Sequence, residues 1–542
     1  MNKWNLVTVC LLTLIAGVFL AAEITRQPRA DTASVDSCDM GDMGELEKWR
    51  EVEIAFTGPD SRGRGNPNPF GIHVDVTFIS PTGGKYRVPG FYNGDGRGGL
   101  DGRVWMVRFS ADEIGKWTFT SESENKNLDG CTGSFRVVKS AGESPDFYRW
   151  GRLEAFGTAS NKIRYLKFRD GAYWLKAGCD DPENFLGNYE NYNTMKKRKA
   201  AVKYLAGKGI NSIYIMTHNL DGDDRDVWPW LGDSAQEAKN NGSGDVRFDI
   251  SRLEEWHQLF VYMQSEGVVP HIVLEDDSAW KGYDHERYYR EIIARFGALP
   301  ALIFNFNEEY NENYSLAEAL DFMQMLKDLD PYDHPRGIHN VNFPNDQYID
   351  APQVDFTSIQ TGSDQKPTGG DPLKHNQLVV DWISLCTSRD KRVLMIGIDE
   401  GRPAGDRTAW WSAYMGGGVW EAHLDKPYDQ PMPAREPVWT ELGGTRAFME
   451  SLPFWEMQSH NELVSSGAAF CLAKPDEVYA LYLPSGGSVV IELPSNATYD
   501  YAWWKPTNGK DGQFEHTGHV DGGKQKLEAP GDGDWAVRIT KR

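Results

Sequence analysis

The sequence predicts a multidomain chain in which a central (β/α)8 TIM barrel is flanked by an N-terminal Ig-like β-sandwich and a small C-terminal β-sandwich. Three observations predict it. From about residue 150 to 460, strand-like runs alternate with amphipathic helical runs, and eight strands interleaved with helices over roughly 300 residues fit a barrel whose usual size is about 250. Residues 45–140 show period-two alternation broken by Gly, Pro, Asn and Asp, and from residue 462 that texture returns to the end. At 542 residues the chain exceeds what one hydrophobic core organises, so several domains are expected.

The first segment speaks to compartment. After Lys3 an uncharged, largely apolar run from Asn5 to Ala22 ends at Glu23 and a polar stretch follows through Asp31. Residues 1–30 therefore read as a signal peptide, cleaved after Ala22 or further on. The run also approaches the lower length of a membrane span, so left uncleaved it would anchor the protein, the single membrane contact expected. Either way the body is exported, as a secreted, periplasmic or cell-surface protein of bacterial type.

In the N-terminal region, Ile72-His73-Val74-Asp75-Val76-Thr77-Phe78 alternates apolar and polar faces, and Gly58-Pro59-Asp60 and Asn93-Gly94-Asp95-Gly96 read as turns between strands. In the last region Val478–Leu483, the turn Ser485-Gly486-Gly487 and Val489-Val490-Ile491 repeat the pattern. The middle region carries helix signals: Ser251 with Glu254 reads as a capping box before Leu253, Trp256, Phe260 and Met263, stopped by Gly267, and Ser315 with Glu318 caps a second helix. The barrel strands are placed at Tyr173–Lys176, Ser212–Thr217, Val269–Leu274, Leu302–Phe306, Gly337–His339, Phe356–Gln360, Val393–Ile398 and Gly417–Trp420.

The tips of these strands carry the chemistry. Tip one leads into Gly178 through Glu183 and Asn184, tip two into His218 and Asn219, and tip three into Glu275, Asp276 and Asp277. Tip four leads into Glu308 and Glu309, tip five into His339 and Asn340, tip six is Gln360, tip seven leads into Asp399 and Glu400, and tip eight into Trp420, Glu421 and His423. A buried strand is under no pressure to end in acids, and in a parallel barrel every tip opens on one mouth. The acids at tips four and seven, Glu308-Glu309 and Asp399-Glu400, hold the catalytic candidates. Glu183, His218, Asn219, Glu275, Glu308, His339, Gln360, Trp420 and His423 are candidate substrate contacts, with Trp228, Trp230 and Trp420 as stacking platforms.

Two carboxyl groups roughly 5 Å apart across one mouth suit glycoside hydrolysis with retention, a double displacement in which one acid protonates the leaving oxygen while the other attacks the anomeric carbon. The same cleft would serve an inverting hydrolase or a polysaccharide lyase, and a catalytically silent barrel would be a carbohydrate-binding protein. The expected partner is a carbohydrate. A formal net charge of -22 argues against nucleic acid or an anionic membrane surface. No cofactor or metal is expected: the histidines share no helix at ligand spacing, and the acidic loop Asp221–Asp226 lacks the twelfth-position Glu of a calcium loop. Beyond Cys10, the five cysteines show no disulfide framework or zinc spacing.

These residues resemble a known group. Phe304-Asn305-Phe306-Asn307-Glu308-Glu309 is similar to the fourth-strand signature of clan A glycoside hydrolases, which implies Glu309 as acid/base and Glu400 as seventh-strand nucleophile. Glu308 stands where that clan usually has Asn, a residue that contacts the sugar 2-hydroxyl, so either recognition of that hydroxyl differs or the match slips by one residue. The wider chain resembles apiosidase-like barrel hydrolases with a sandwich at each end. Glu113–Thr118 with Gly133-Ser134-Phe135 is similar to their N-terminal domain of unknown function. Trp174–Gly178, Pro182–Leu186 and Phe248–Ser251 resemble their barrel. Tyr482-Leu483-Pro484, Trp504–Gly509 and Ala529–Trp535 resemble their collagen-binding-type C-terminal domain. Collagen is the family's label; no residue here points to it as ligand.

Overall fold

The computed structural model describes residues 38–140, 147–158, 160–180, 182–222, 225–341, 346–361, 371–389, 395–401, 407–423, 427 and 429–542, with 340, 341, 346, 361, 395, 396 and 398–401 described by backbone alone. The signal-peptide segment lies outside the described residues. Among those described, no helix is long and apolar enough to cross a membrane.

The N-terminal strands form two sheets. One runs Asp39–Glu47, Thr132–Val138, Gly115–Ser123, Val74–Ile79, Lys85–Pro89 in spatial order, and the other Glu51–Ser61, Gly102–Ser110, Phe91–Tyr92. Val74, Val76 and Phe78 all point into the core, as their alternation requires. Gly58-Pro59-Asp60 is not a turn between strands; it lies within Glu51–Ser61 as an irregularity in pairing between Thr57 and Ser61. Cys38 and Cys131, which showed no pairing signal in sequence, form a disulfide because the neighbouring strands run side by side and bring their Cα atoms to 4.3 Å.

Eight parallel strands then close into a barrel: Ala177–Cys179, Ser212–Met216, Val269–Val273, Ile303–Asn305, Arg336–Val341, Phe356–Thr361, Met395–Gly401 and Val419–Ala422, the first pairing with the last. Seven coincide with or overlap the expected strands. The first begins after the apolar Tyr173-Trp174-Leu175 run rather than on it, because pairing with the eighth strand places Gly178 opposite Glu421. A Cβ at 178 would collide with the Glu421 carboxylate, so only glycine lets the two strands meet.

The helix Ile250–Glu266 buries Leu253, Trp256, Phe260 and Met263 and ends at Gly267 in the left-handed region. Its cap is Asp249, whose side chain accepts from the Arg252 amide, not Ser251: Ile250 is already helical and buried, which moves the start two residues upstream. Leu316–Leu329 carries the expected Ser315/Glu318 capping box.

The strands from Gln458 to Lys541 join in one continuous seven-stranded sheet rather than two. The long strand Ser488–Trp504 explains this: one of its edges pairs along the strand's length with Glu515–Glu528, while its first part also pairs with Val464–Ser466 and its last part with Trp535–Lys541, so one strand serves what would otherwise be two layers. Leu481, Val489, Ile491, Tyr499 and Val537 share a core of their own, while Tyr482 on the opposite face stacks on Trp411 of a barrel helix at 5.0 Å. On the other flank Arg108 of the N-terminal sheet, 1% exposed, meets Glu53 and, on a barrel helix, Glu254 at 2.8 Å.

Candidate active site at the barrel mouth

Side chains alternate along a strand, so every second residue of each barrel strand faces the axis. In this barrel many of those positions are polar. Lys176, 1% exposed, pairs with the fully buried carboxylate of Glu421, and His271 Nδ1 lies 3.0 Å from the same carboxylate and 3.1 Å from Lys176 Nζ. Tyr214 OH lies 3.2 Å from His339 Nδ1 and accepts from Asn305 Nδ2 at 3.3 Å. These residues form a hydrogen-bonded floor. His339 belongs to it rather than to the mouth: it is opposite Ser358, two residues short of Gln360 along the sixth strand.

Above the floor, one side of the mouth is built by the third, fourth and sixth strands. Glu309 begins the short helix Tyr310–Asn313 with φ 44° and ψ 47°, a left-handed conformation unusual for a residue with a side chain. The Gln360 side-chain amide donates to Glu309 Oε1. Carboxylate oxygens of Asp277, Glu309 and Glu312 lie within 4.8 Å of one another. Glu308 is buried, and its amide donates to the Glu275 carbonyl at 2.9 Å.

Glu275 is wholly buried. Burial pushes its carboxyl up to about 7, against the opposing influence of the Tyr314 and Tyr283 hydroxyls, the nearby Lys281 charge and the Asn307 amide. Tyr314 OH reaches both oxygens, at 2.8 and 3.1 Å. Asp276 is held well above the usual carboxylate range, first by burial and then by the hydrogen bond and charge of Asp277. This corner therefore holds protons that exposed acids would release.

The opposite side comes from the first, second and eighth strands. His423 Nδ1 lies 3.4 Å from Glu183 and 3.8 Å from Asp180, and one donor atom from each of the three falls within a 4.8 Å cluster. Two carboxylates and an imidazole are a donor set a divalent cation accepts, as are the three acids around Glu309. Asn219 donates to Asn184 Oδ1 at 2.9 Å and so joins the Glu183 side.

Four further expected contacts lie elsewhere. His218 is fully buried, with Nε2 2.9 Å from the Trp280 carbonyl and its ring edge-on to Trp230 and Tyr283; burial lowers its pKa to about 3, so it is a neutral packing residue. Trp420, at 0% exposure, points outward between barrel and helices against His375, and a stacking platform needs an open face. Trp230 is equally buried, and half-buried Trp228 lies under the Arg252 guanidinium.

Glu400 lies in the seventh strand, whose Asp399 is in register with Gln360, so its backbone reaches the level of the Glu309–Gln360 contact; its side chain is outside the described residues. Sequence reading passed over Tyr314, Lys281 and Glu312. The only available signal was Tyr314 directly before the Ser315 cap, a position with no reason to be aromatic on the helix's own account.

Comparisons with known proteins place this geometry. Residues 45–124 match a family described as "Domain of unknown function (DUF5060)". No curated protein matches the chain. Among solved structures, one from Bacteroides vulgatus ATCC 8482 described as a "putative glycoside hydrolase" has a TM-score of 0.70 at 15% identity, covering 92% of this chain and 100% of that one. A second, described as "Glycoside hydrolase", has a TM-score of 0.55 at 15% identity over 72% of this chain and 97% of its own. A glycoside hydrolase family 5 protein from the same Bacteroides strain has a TM-score of 0.56 at 13% identity over 72% and 94%. At these identities the likeness is one of fold: the chain has the barrel-and-sheet architecture of solved glycoside hydrolases.

Proposed function

We propose that the protein is a secreted glycoside hydrolase that cleaves the O-glycosidic bond of an oligo- or polysaccharide with retention. Glu309 protonates the leaving oxygen and Glu400 attacks the anomeric carbon; water then releases the glycosyl-enzyme, with Glu309 acting as base. The observation that carries this reading is the contact of Gln360 with Glu309 at the carboxyl-terminal end of a closed barrel, level with the end of the strand that bears Glu400. Gln360 orients the Glu309 carboxylate, and the second carboxylate would come from the neighbouring seventh strand. Glu183, Asn219, Glu308 and His423 complete the substrate contacts.

Export is supported by the apolar run at residues 5–22 and by the Cys38–Cys131 disulfide, a bond that persists in oxidising compartments. We read residues 45–140 as an Ig-like domain, 150–460 as the catalytic barrel and 462–542 as a small β-domain, in the manner of the apiosidase-like hydrolases they resemble.

The test is turnover on a panel of plant and algal polysaccharides, with products resolved by mass and the first-formed anomer read by proton NMR. Glu309→Gln and Glu400→Gln should each lower turnover by roughly 100-fold or more, and the first product should retain its configuration. Binding without cleavage, unchanged in both variants, would make the protein a carbohydrate-binding module. An inverted product would remove the nucleophile role of Glu400.

A further inference from the structure

The third strand and the loop after it grip the turn that carries Glu309 at several points. The Glu275 carbonyl accepts from the Glu308 amide at 2.9 Å, the Glu275 carboxylate accepts from Tyr314 OH, and Lys281 Nζ donates to the Asn313 carbonyl at 2.9 Å. Lys281 also sits 4.5 Å over the Tyr314 ring, and Asn307 Nδ2 reaches toward the Asp276 carbonyl at 3.5 Å. Between these fixed points Glu309 holds its left-handed backbone. Such a conformation is unfavourable for a residue with a side chain and persists only where surrounding structure over-determines it. The four-residue helix Tyr310–Asn313 is too short to impose it.

We propose that Glu275 is a positioning residue for the reaction: through Tyr314 it pins the Asn307–Tyr314 turn and thereby keeps the Glu309 carboxylate facing Gln360. This rests on the reading of Glu309 as the proton donor. Glu275 does not touch the sugar; it is buried behind the turn, among Tyr283, Tyr288, Tyr289 and Tyr314, with Asn307 and Lys281 as its other polar neighbours.

Tyr314→Phe deletes the hydroxyl that donates to Glu275 while keeping the ring that packs on Phe306 and Phe322. Glu275→Gln keeps an acceptor for Tyr314 but cannot ionise. Tyr314→Phe should lower kcat by roughly 10- to 100-fold with KM within about twofold, the cost of a misplaced catalytic group. Glu275→Gln should keep kcat within about threefold of wild type, and Glu275→Leu, which removes the acceptor, should fall about as far as Tyr314→Phe. Hydrogen exchange in the peptide spanning residues 306–316 should speed up in Tyr314→Phe, whether or not a substrate has been found. Wild-type kcat in both Tyr314→Phe and Glu275→Leu overturns the proposal, as does unchanged exchange in that peptide. Faster exchange in a protein without turnover upholds the clamp and removes the catalytic reading of Glu309 instead.

Discussion

The side-chain amide of Gln360 donates to the Glu309 carboxylate, tying the tip of the sixth barrel strand to the tip of the fourth. A hydrogen bond contributes a net of about 0.5–1.5 kcal/mol, enough to bias which way Glu309 faces. Gln360→Leu removes it without adding a charge. We expect kcat/KM to fall by roughly 10-fold or more on any cleaved glycan while the melting temperature stays within a few degrees, and steady-state kinetics alongside calorimetry checks both.

Glu275 links the site to stability. Its folded-state value, raised from 4.5 to about 7 by burial, means the native state prefers the proton. Its favourable contribution is complete below about pH 4.5, declines as pH rises to about 7 and is gone above that, a span worth roughly 3 kcal/mol. Glu275→Gln removes the dependence. Urea unfolding of both proteins at pH 4.5 and pH 8 should show the variant gaining on the wild type across that interval.

The floor of the barrel makes a separate prediction. Lys176→Met removes the buried cation paired with the Glu421 carboxylate, leaving His271 beside it, and should cost about 3–5 kcal/mol. Combining it with Glu421→Gln should cost much less than the sum of the single changes, since the second removes the stranded charge. A double-mutant cycle by chemical denaturation reads the coupling.

Reduction of Cys38–Cys131, or Cys38→Ser with Cys131→Ser, opens a closure of 93 residues. A loop of that order corresponds to roughly 2–5 kcal/mol of unfolding free energy. Denaturation with and without dithiothreitol should show the loss in the wild type and none in the double variant.

How far the site could be seen in the sequence depends on which forces place each residue. The fourth strand was legible because Leu302–Phe306 is apolar enough for a buried parallel strand and ends abruptly in acids. The first strand was not: Ala177-Gly178-Cys179 has little strand propensity, and its place comes from the fit of Gly178 against Glu421, a partner more than two hundred residues away. Trp420 and His218 sit where a period-two count allows a mouth position, but neighbours on other helices and loops enclose both. The clamp on Glu309 was invisible for the same reason, since Glu275 and Tyr314 are joined across two strands and a turn.

Local pattern alone thus determined the alternation of strands and helices, the flanking all-β regions and the acid-rich strand tips, because these follow from backbone periodicity and burial along short windows, whereas the choice of Glu309 among those acids is what the resemblance to the clan A signature implies. Tertiary structure alone decided which tip residues share the mouth and which are packed away, the single continuous C-terminal sheet, the Cys38–Cys131 bond and the left-handed turn at Glu309. Those depend on contacts between segments distant along the chain, where close packing and the dehydration of paired polar groups override what any one window prefers.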